Sequence, residues 1–374
     1  MSRFGTGPGA VRRWSAVLAG VTVLGATPAA VDRLPTSSPR LPPAQLLSAI
    51  RASGAVGHTG YAESHARISL PDIPQIGRVV ELLGGTSRLR VWWTAPDRWR
   101  VDSLTPIGEY GLYRDGTTTT TWDSFERRAT EELGQSTVRL ARSGDLLPGE
   151  LGRRLAGAAS PQDLHPLESR RVAGVDAAGV RILPTSARTT VGQVDIWADP
   201  GTGLPLRVEV TERGSTSPVI STSYLDVALA APDPAQVAFR PGADVSTDRI
   251  TAPDIAAAMD RFSPFVLPDD IAGERRRTEV GSGAGTYGEG FAVVAVLVLP
   301  SGRTSRMVRR LEGLSERVER PYGEVIVVRG PLLNGLVVVP NSSSYSGYVL
   351  SGAVPVEELH RIADDLAPRQ LQVR

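Results

Sequence analysis

From Gly57 to about Ala230 apolar residues recur at every second position, and a chain that alternates for this long folds as a large antiparallel sheet. In Tyr61–Leu70, Ala62, Ser64, Ala66, Ile68 and Leu70 alternate with Tyr61, Glu63, His65 and Arg67, the pattern of a strand with one small or apolar face and one wet face. Leu89, Val91 and Trp93 alternate with Arg88 and Arg90, and beyond a turn at Pro96-Asp97 the residues Trp99 and Val101 alternate with Arg98, Arg100 and Asp102. Turns at Asp115-Gly116 and Asp123-Ser124 separate strands at Tyr110–Arg114, Thr117–Trp122 and Phe125–Leu133, the spacing of a hairpin meander. Asp145–Ala158 interrupts as a helix, with Leu146, Leu147, Leu151 and Leu155 on one side. Strands resume at Arg170–Val175, Val180–Leu183, Val191–Ala198, Leu204–Val210 and Val219–Leu225, with turns at Asp176–Gly179 and Asp199-Pro200-Gly201.

Such a sheet, with only two or three helices and no partner sheet, buries one face by curling into a barrel or by forming a half-barrel capped by its helices. The expected fold class is therefore α+β, with a curved antiparallel half β-barrel over residues 44–240. Its concave face is a natural seat for an acyl chain or an apolar peptide segment. Parity puts Leu89, Val91, Trp93, Trp99 and Val101 on that face. Leu112 and Trp122, on the next strands of the meander, complete the expected pocket. Core filling is the competing reading of the same residues.

Residues 231–253 are Pro-rich and lack periodicity, so 241–253 is expected to be a linker and 254–374 a small α+β domain. In that domain helices are expected at Asp254–Phe262, Arg303–Val318 and Val356–Leu366. Strands are expected at Gly290–Leu299, Tyr322–Arg329, Leu332–Val339 and Tyr345–Ala353. The helix over 303–318 presents Arg303, Arg306, Arg309 and Arg310 opposite an apolar stripe, either as a solvated face or as a docking surface for an acidic partner segment or an anionic lipid head group.

At the other end Arg3, Arg12 and Arg13 precede Trp14–Val31, a stretch without charge. Residues 1–31 thus read as a signal peptide or a retained membrane anchor, followed by a Pro/Ser linker at 32–43. The apolar stretch is near the short end of the ~17–25 residues a span requires. Cleavage after Ala30 or Ala29 puts Pro28 or Thr27 at the −3 position, so both alternatives stand. Either way the working part is expected outside the cytoplasmic membrane.

The chemistry-bearing residues are few. Cysteine is absent, which removes disulfides, thiolate nucleophiles and Cys-type metal sites. A net charge of +1 argues against a general nucleic-acid binder. His58, His65, His165 and His360 form no HExxH and no i,i+4 pair, and no GxSxG elbow occurs. Gly283–Gly288 satisfies GxGxxG, but a polar segment precedes it and a strand follows, the reverse of a dinucleotide fingerprint, so a flexible loop is expected. Neither catalysis, a cofactor nor a bound metal is expected.

Within Leu89–Glu132, the pattern Trp92-Trp93…Pro96…Arg98…Arg100 followed by Asp115-Gly116…Trp122-Asp123 resembles the LolA-type lipoprotein-carrier superfamily. Val194–Val210 (VDIWADPGTGLPLRVEV) is similar to a hairpin of that superfamily, and GYVLSGAVPVEELHRIADDL at the C-terminus resembles the last strand and helix of its MucB/RseB-type sigma-factor regulators. The two-domain layout favours that branch over a lone LolA/LppX-like carrier. The resemblance implies a half-barrel with a hydrophobic cavity and no catalysis. It also implies one of two roles: sensing or regulation, with an acyl-bearing lipid or lipoprotein as ligand and a membrane anti-sigma factor as partner, or carriage of such a lipid through the envelope. The lack of cysteine rules out lipidation of the chain itself, and Ile73–Gly85 is an insert relative to the minimal carrier.

Overall fold

The computed structural model describes residues 41–370, apart from 70–76, 107, 135–138, 243, 253–265, 280–282 and 342–346; between 300 and 314 it describes Thr304, Val308 and Leu311 only. The expected signal or anchor, most of the linker 32–43, the expected helix at 254–262 and Arg303, Arg306, Arg309 and Arg310 lie outside the described residues. No described helix is long and apolar enough to cross a membrane.

The alternating region forms a 12-stranded sheet from β1 (His58–Ala66), β2 (Thr86–Ala95), β3 (Arg98–Thr105), β4 (Gly108–Asp115), β5 (Thr118–Asp123), β6 (Arg128–Leu133), β7 (Leu164–Val172), β8 (Val175–Ile182), β9 (Val191–Ala198), β10 (Pro205–Glu212), β11 (Pro218–Ala228) and β12 (Ser246–Thr251). The order is β12-β6-β5-β4-β3-β2-β1-β11-β10-β9-β8-β7, so β7 and β12 are free edges and the sheet does not close. This is the half-barrel that the length of the alternating region implied.

Three amphipathic helices cover the apolar face. Helix α1 (Pro43–Ala52) opens with proline in its first turn and seats Leu46, Leu47 and Ile50 against Val180, Ile182, Val194, Ile196, Val208 and Val210. Helix α2 (Gly77–Gly84) contributes Leu82 and Leu83, and helix α3 (Pro148–Ala158) lies on β10, where a Cβ on Gly152 would strike Pro205 at 2.7 Å. The Ser143–Leu146 turn leads into α3 and brings Leu146 and Leu147 into one core with Leu89, Val91 and Val101.

The second sheet is 8-stranded. It runs β13-β14-β15-β16-β20-β19-β18-β17 through β13 (Asp270–Ile271), β14 (Glu274–Glu279), β15 (Ala284–Tyr287), β16 (Val294–Leu299), β20 (Gly347–Gly352), β19 (Asn334–Pro340), β18 (Gly323–Val328) and β17 (Glu316–Arg320). Of the remaining helices, α4 (Pro234–Val237) is a single turn between β11 and β12. Helix α5 (Val356–Gln370) packs Leu359, Ile362, Ala363 and Leu366 on Val294, Val296, Val325, Leu336 and Leu350. The other face is closed by Val308 and Leu311 against Ile326 and Val337.

Several local expectations are corrected. The turn expected at Asp176–Gly179 lies instead at Ala173-Gly174, where both residues have positive φ (49° and 79°), the geometry of a two-residue hairpin loop; 176–179 run straight through β8. Ser246–Thr251, inside the non-periodic stretch, is a strand, β12, which pairs parallel to β6. Gly283–Gly288 is not a loop. Residues 284–287 are β15, and Gly285 keeps clear a space in which a Cβ would meet Arg276 at 3.0 Å. The helix expected through Val318 has ended by Glu316, because Glu316–Arg320 pairs with β18 in a hairpin.

The two sheets meet at the β8–β9 loop. Thr189 Oγ1 donates to the carbonyls of Ala353 (2.8 Å) and Phe291 (3.2 Å), Thr190 N to Ala353 O (3.0 Å), and Thr190 Oγ1 to Leu332 O (2.6 Å). Leu332, Leu333, Phe291 and Ala353 pack into the core of the first sheet. Arg213 braces the loop from behind, donating to the carbonyls of Pro184, Ser186, Thr189 and Val191.

Candidate functional site

Because paired residues in neighbouring strands share a face, the register assigns side chains to the concave side row by row. One row reads Val91 (β2), Val101 (β3), Leu112 (β4), Thr121 (β5), Thr130 (β6) and Asp248 (β12). The next reads His58 (β1), Trp93, Trp99, Arg114, Thr119, Glu132 and Ile250. The first row stays apolar through Leu112 and turns polar from β5 on; the second turns polar at Arg114 and stays so through Glu132, ending on the exposed Ile250. Helix cover stops where that change occurs.

A cavity of about 380 Å³ opens there. One wall is Trp93, Trp99, Leu112 and Pro96, and the other comes from the segment between β6 and α3, with Arg139, Arg142 and Asp145, and from Glu150 in the first turn of α3. Trp93 and Trp99 stack with ring centroids 5.6 Å apart and planes at 3°. Both are held by backbone carbonyls: Trp93 Nε1 donates to Gly54 O (2.8 Å) and Trp99 Nε1 to Pro96 O (3.1 Å).

The charged wall is largely self-neutralised. Arg139 donates to both oxygens of Asp145 (2.6 and 2.7 Å), Arg154 also reaches Asp145 (2.9 Å), Arg142 pairs with Glu132, and Arg153 pairs with Glu150. Burial pushes Asp145 up, but the Arg139 hydrogen bonds and charge, the Arg142 backbone N–H and the Arg154 charge outweigh it, so its carboxyl stays below its ordinary range. Arg114 differs. It donates to Thr119 Oγ1 (2.7 Å) and, among the described residues, has no carboxylate partner.

Behind the tryptophans lies a buried polar network. His58 Nδ1 donates to Val56 O (2.8 Å), which leaves Nε2 to accept from Tyr224 OH (2.8 Å). Burial, with a smaller push from the Arg153 charge, lowers the His58 pKa to about 4 although the Val56 hydrogen bond opposes it, so the imidazole is neutral. Arg153, above the Trp93 ring at 5.2 Å, is itself lowered to about 10 by burial.

The structure divides the residues singled out in the sequence. Leu89, Val91 and Val101 face the concave side but lie under Leu146 and Leu147 as core; Val91 is 1% exposed. Trp93, Trp99 and Leu112 line the cavity. Trp122 lies on the convex face, because it pairs with Gly111 rather than Leu112. There it joins Tyr113 and Phe239 beside a second hollow of about 310 Å³ that Arg100 also lines. Arg114, Arg139, Arg142 and His58 were not singled out as site residues. His58 carried a readable signal, since it shares the even-numbered parity of Ala62, Ser64 and Ala66. Among the described residues no group of three or more His, Asp or Glu side chains could hold a metal ion.

No family model matches the chain and no curated protein matches it. The chain is similar to solved structures at low identity. One is the Pseudomonas aeruginosa MucA/MucB complex, at 15% identity over 85% of this chain and 95% of that one, with a TM-score of 0.48. A second is MucB in complex with periplasmic MucA, at 16% over 87% and 98%, with a TM-score of 0.47. A third is a LolA superfamily protein from Nitrosomonas europaea, at 13% over 53% of this chain and 98% of that one, with a TM-score of 0.23.

Proposed function

We propose that the chain is a non-catalytic, extracytoplasmic binding protein in which residues 44–240 hold an amphiphilic ligand and residues 254–374 hold a protein partner. The observation that carries this reading is the cavity at the limit of helix cover, with stacked tryptophans on one wall and ion-paired arginines on the other. A sheet that only needed a core would extend the helices over Thr121 and Thr130, which are only half-buried. Among the described residues no nucleophile–base pair or acid–base dyad lines the cavity, and the described carboxylates there are taken up by arginines or, like Asp97, stand exposed at the mouth. The ligand is an acyl-bearing lipid or lipoprotein, and the partner is the exported segment of a membrane anti-sigma protein. Both follow the resemblance of Leu89–Glu132, Val194–Val210 and the C-terminal helix to the MucB/RseB-type regulators. Arg303, Arg306, Arg309 and Arg310 are the proposed partner contacts.

Two measurements on the same preparation test this. Protein purified without detergent is examined by native mass spectrometry, and tagged protein is used to pull partners from solubilised membranes. A regulator yields a stable complex with a membrane protein's exported segment. A carrier arrives loaded with lipid and captures no such segment. Finding neither lipid nor partner would remove the proposal.

A further inference from the structure

We infer that the ligand of this cavity carries an anionic head group, a carboxylate or a phosphate, on an apolar body, and that Arg114 is the residue that selects it. The inference rests on the ligand-binding reading above and adds the head-group chemistry to it.

Three guanidinium groups line one cavity: Arg114, Arg139 and Arg142. Arg139 is matched by Asp145 and Arg142 by Glu132, which leaves Arg114 as the unmatched cation among the described lining residues. Its neighbours do not suit a cation. Burial, then the charges of Arg142 and Arg139, hold its pKa below the ordinary arginine range, while Asp97 and Glu132 pull the other way without forming an ion pair to it. A bound anion would relieve that repulsion and could accept two parallel N–H bonds from the planar fork. The placement of Arg114 sets the rest of the ligand. In the cross-strand row it sits between Trp99 and Thr119, so a head group on Arg114 directs its apolar portion along Trp99, Trp93 and Leu112. On the other side the row continues through Thr119 and Glu132, polar neighbours less suited to the chain of an amphiphile than the two tryptophans.

The test uses the exported chain with cis-parinaric acid and its methyl ester as fluorescent probes. The expected result is about tenfold tighter binding of the acid, the scale of one charge-assisted contact, with salt weakening the acid and not the ester. Arg114→Gln should erase the preference by weakening the acid about tenfold and the ester far less, and Arg114→Lys should keep part of it. A melting curve for each variant establishes that it is folded; the salt dependence of the unaltered protein carries the test if Arg114→Gln is not. Displacement by oleate or by lysophosphatidic acid identifies the head group as carboxylate or phosphate. Equal binding of acid and ester, a preference that survives Arg114→Gln, or displacement by neither competitor would overturn the inference while leaving a ligand-binding cavity. Binding of neither probe would overturn both.

Discussion

The two sheets solve the same problem to different degrees. In the second, α5 closes one face with Leu359, Ile362 and Leu366, and Val308 and Leu311 close part of the other, so valines on alternate positions become core on both sides. In the first, α1, α2 and α3 cover the half around β1, β2 and β8 to β11, and beyond Leu112 the face is covered by no described helix but by the ion-paired Arg139–Asp145 segment across the cavity. Both regions use the same period of two. The difference is how far the helices reach, and the cavity sits where they stop.

The substitution that tests this limit most severely is Val91→Glu. Val91 lies on the covered side of the boundary, so an unpaired carboxylate there should cost on the order of ~3–5 kcal/mol and collapse the melting temperature. Thr121→Glu, three strands further along the same row, should be nearly silent. If the two variants melt alike, the covered half is not a sealed core and the boundary has been misplaced.

Acid comes next. His58 is buried neutral with a pKa of about 4, against ~6.5 in an unfolded chain. The unfolded state therefore binds the proton first. The His58 contribution is intact above pH ~6.5, falls as the pH drops through the window to about 4, and levels off below it. The full loss is about 3 kcal/mol. Urea midpoints at pH 7 and pH 4.5, compared between the unaltered chain and His58→Gln, isolate this from the carboxylates; equal slopes would mean that His58 does not titrate in the window. His360 of the second region is half-buried and its pKa is also lowered, by burial first and then by the Arg320 charge, so both regions lose stability in acid and the first sheet, with the more deeply buried His58, should lose more.

A smaller effect joins the regions. Protease cleavage within 231–245 should nick the chain without separating the halves on gel filtration, because the Thr189–Thr190 clasp and the Leu332–Phe291 contacts hold them. Arg213→Ala frees the loop behind that clasp and should remove about 1.5–3 kcal/mol, splitting one calorimetric transition into two. An unsplit, unshifted transition would show that the clasp does not need its brace. Smallest is the network in which the half-exposed Arg188 and Arg361 both reach Glu274 and Glu358 across the same junction, so that Arg361 still faces both carboxylates when Arg188 is removed. Arg188→Ala should shift stability by less than about 1 kcal/mol, and a larger loss would mean that these charges lock the two regions together.

How much of this the sequence contained depends on how local the cause is. Leu89, Val91, Trp93, Trp99 and Val101 alternate with arginines, and their common face was legible. Trp122 was not, because the run Thr117–Thr121 has no apolar residue to fix parity; only the pairing of Trp122 with Gly111 reveals the convex face. The Ala173-Gly174 turn hid behind Asp176–Gly179, which has better turn residues but straight backbone. Arg139 and Arg142 come from an irregular segment whose position depends on α3, and β12 pairs with a strand more than a hundred residues away. Contacts of that kind have no period to betray them.

That long-range pairing has a consequence for synthesis. Arg128 of β6 waits 120 residues for Asp248 of β12. At translation rates of ~5–20 residues per second this interval lasts roughly 6–24 seconds. Throughout it β6 is a bare rim on a nascent sheet, open to strands from neighbouring polypeptides. Its sequence is suited to that exposure, since Arg128, Glu131 and Glu132 carry charge to both sides of the strand and discourage intermolecular pairing. The residues that later anchor β12, through Arg128–Asp248 and Arg249–Glu131, serve first as its guard.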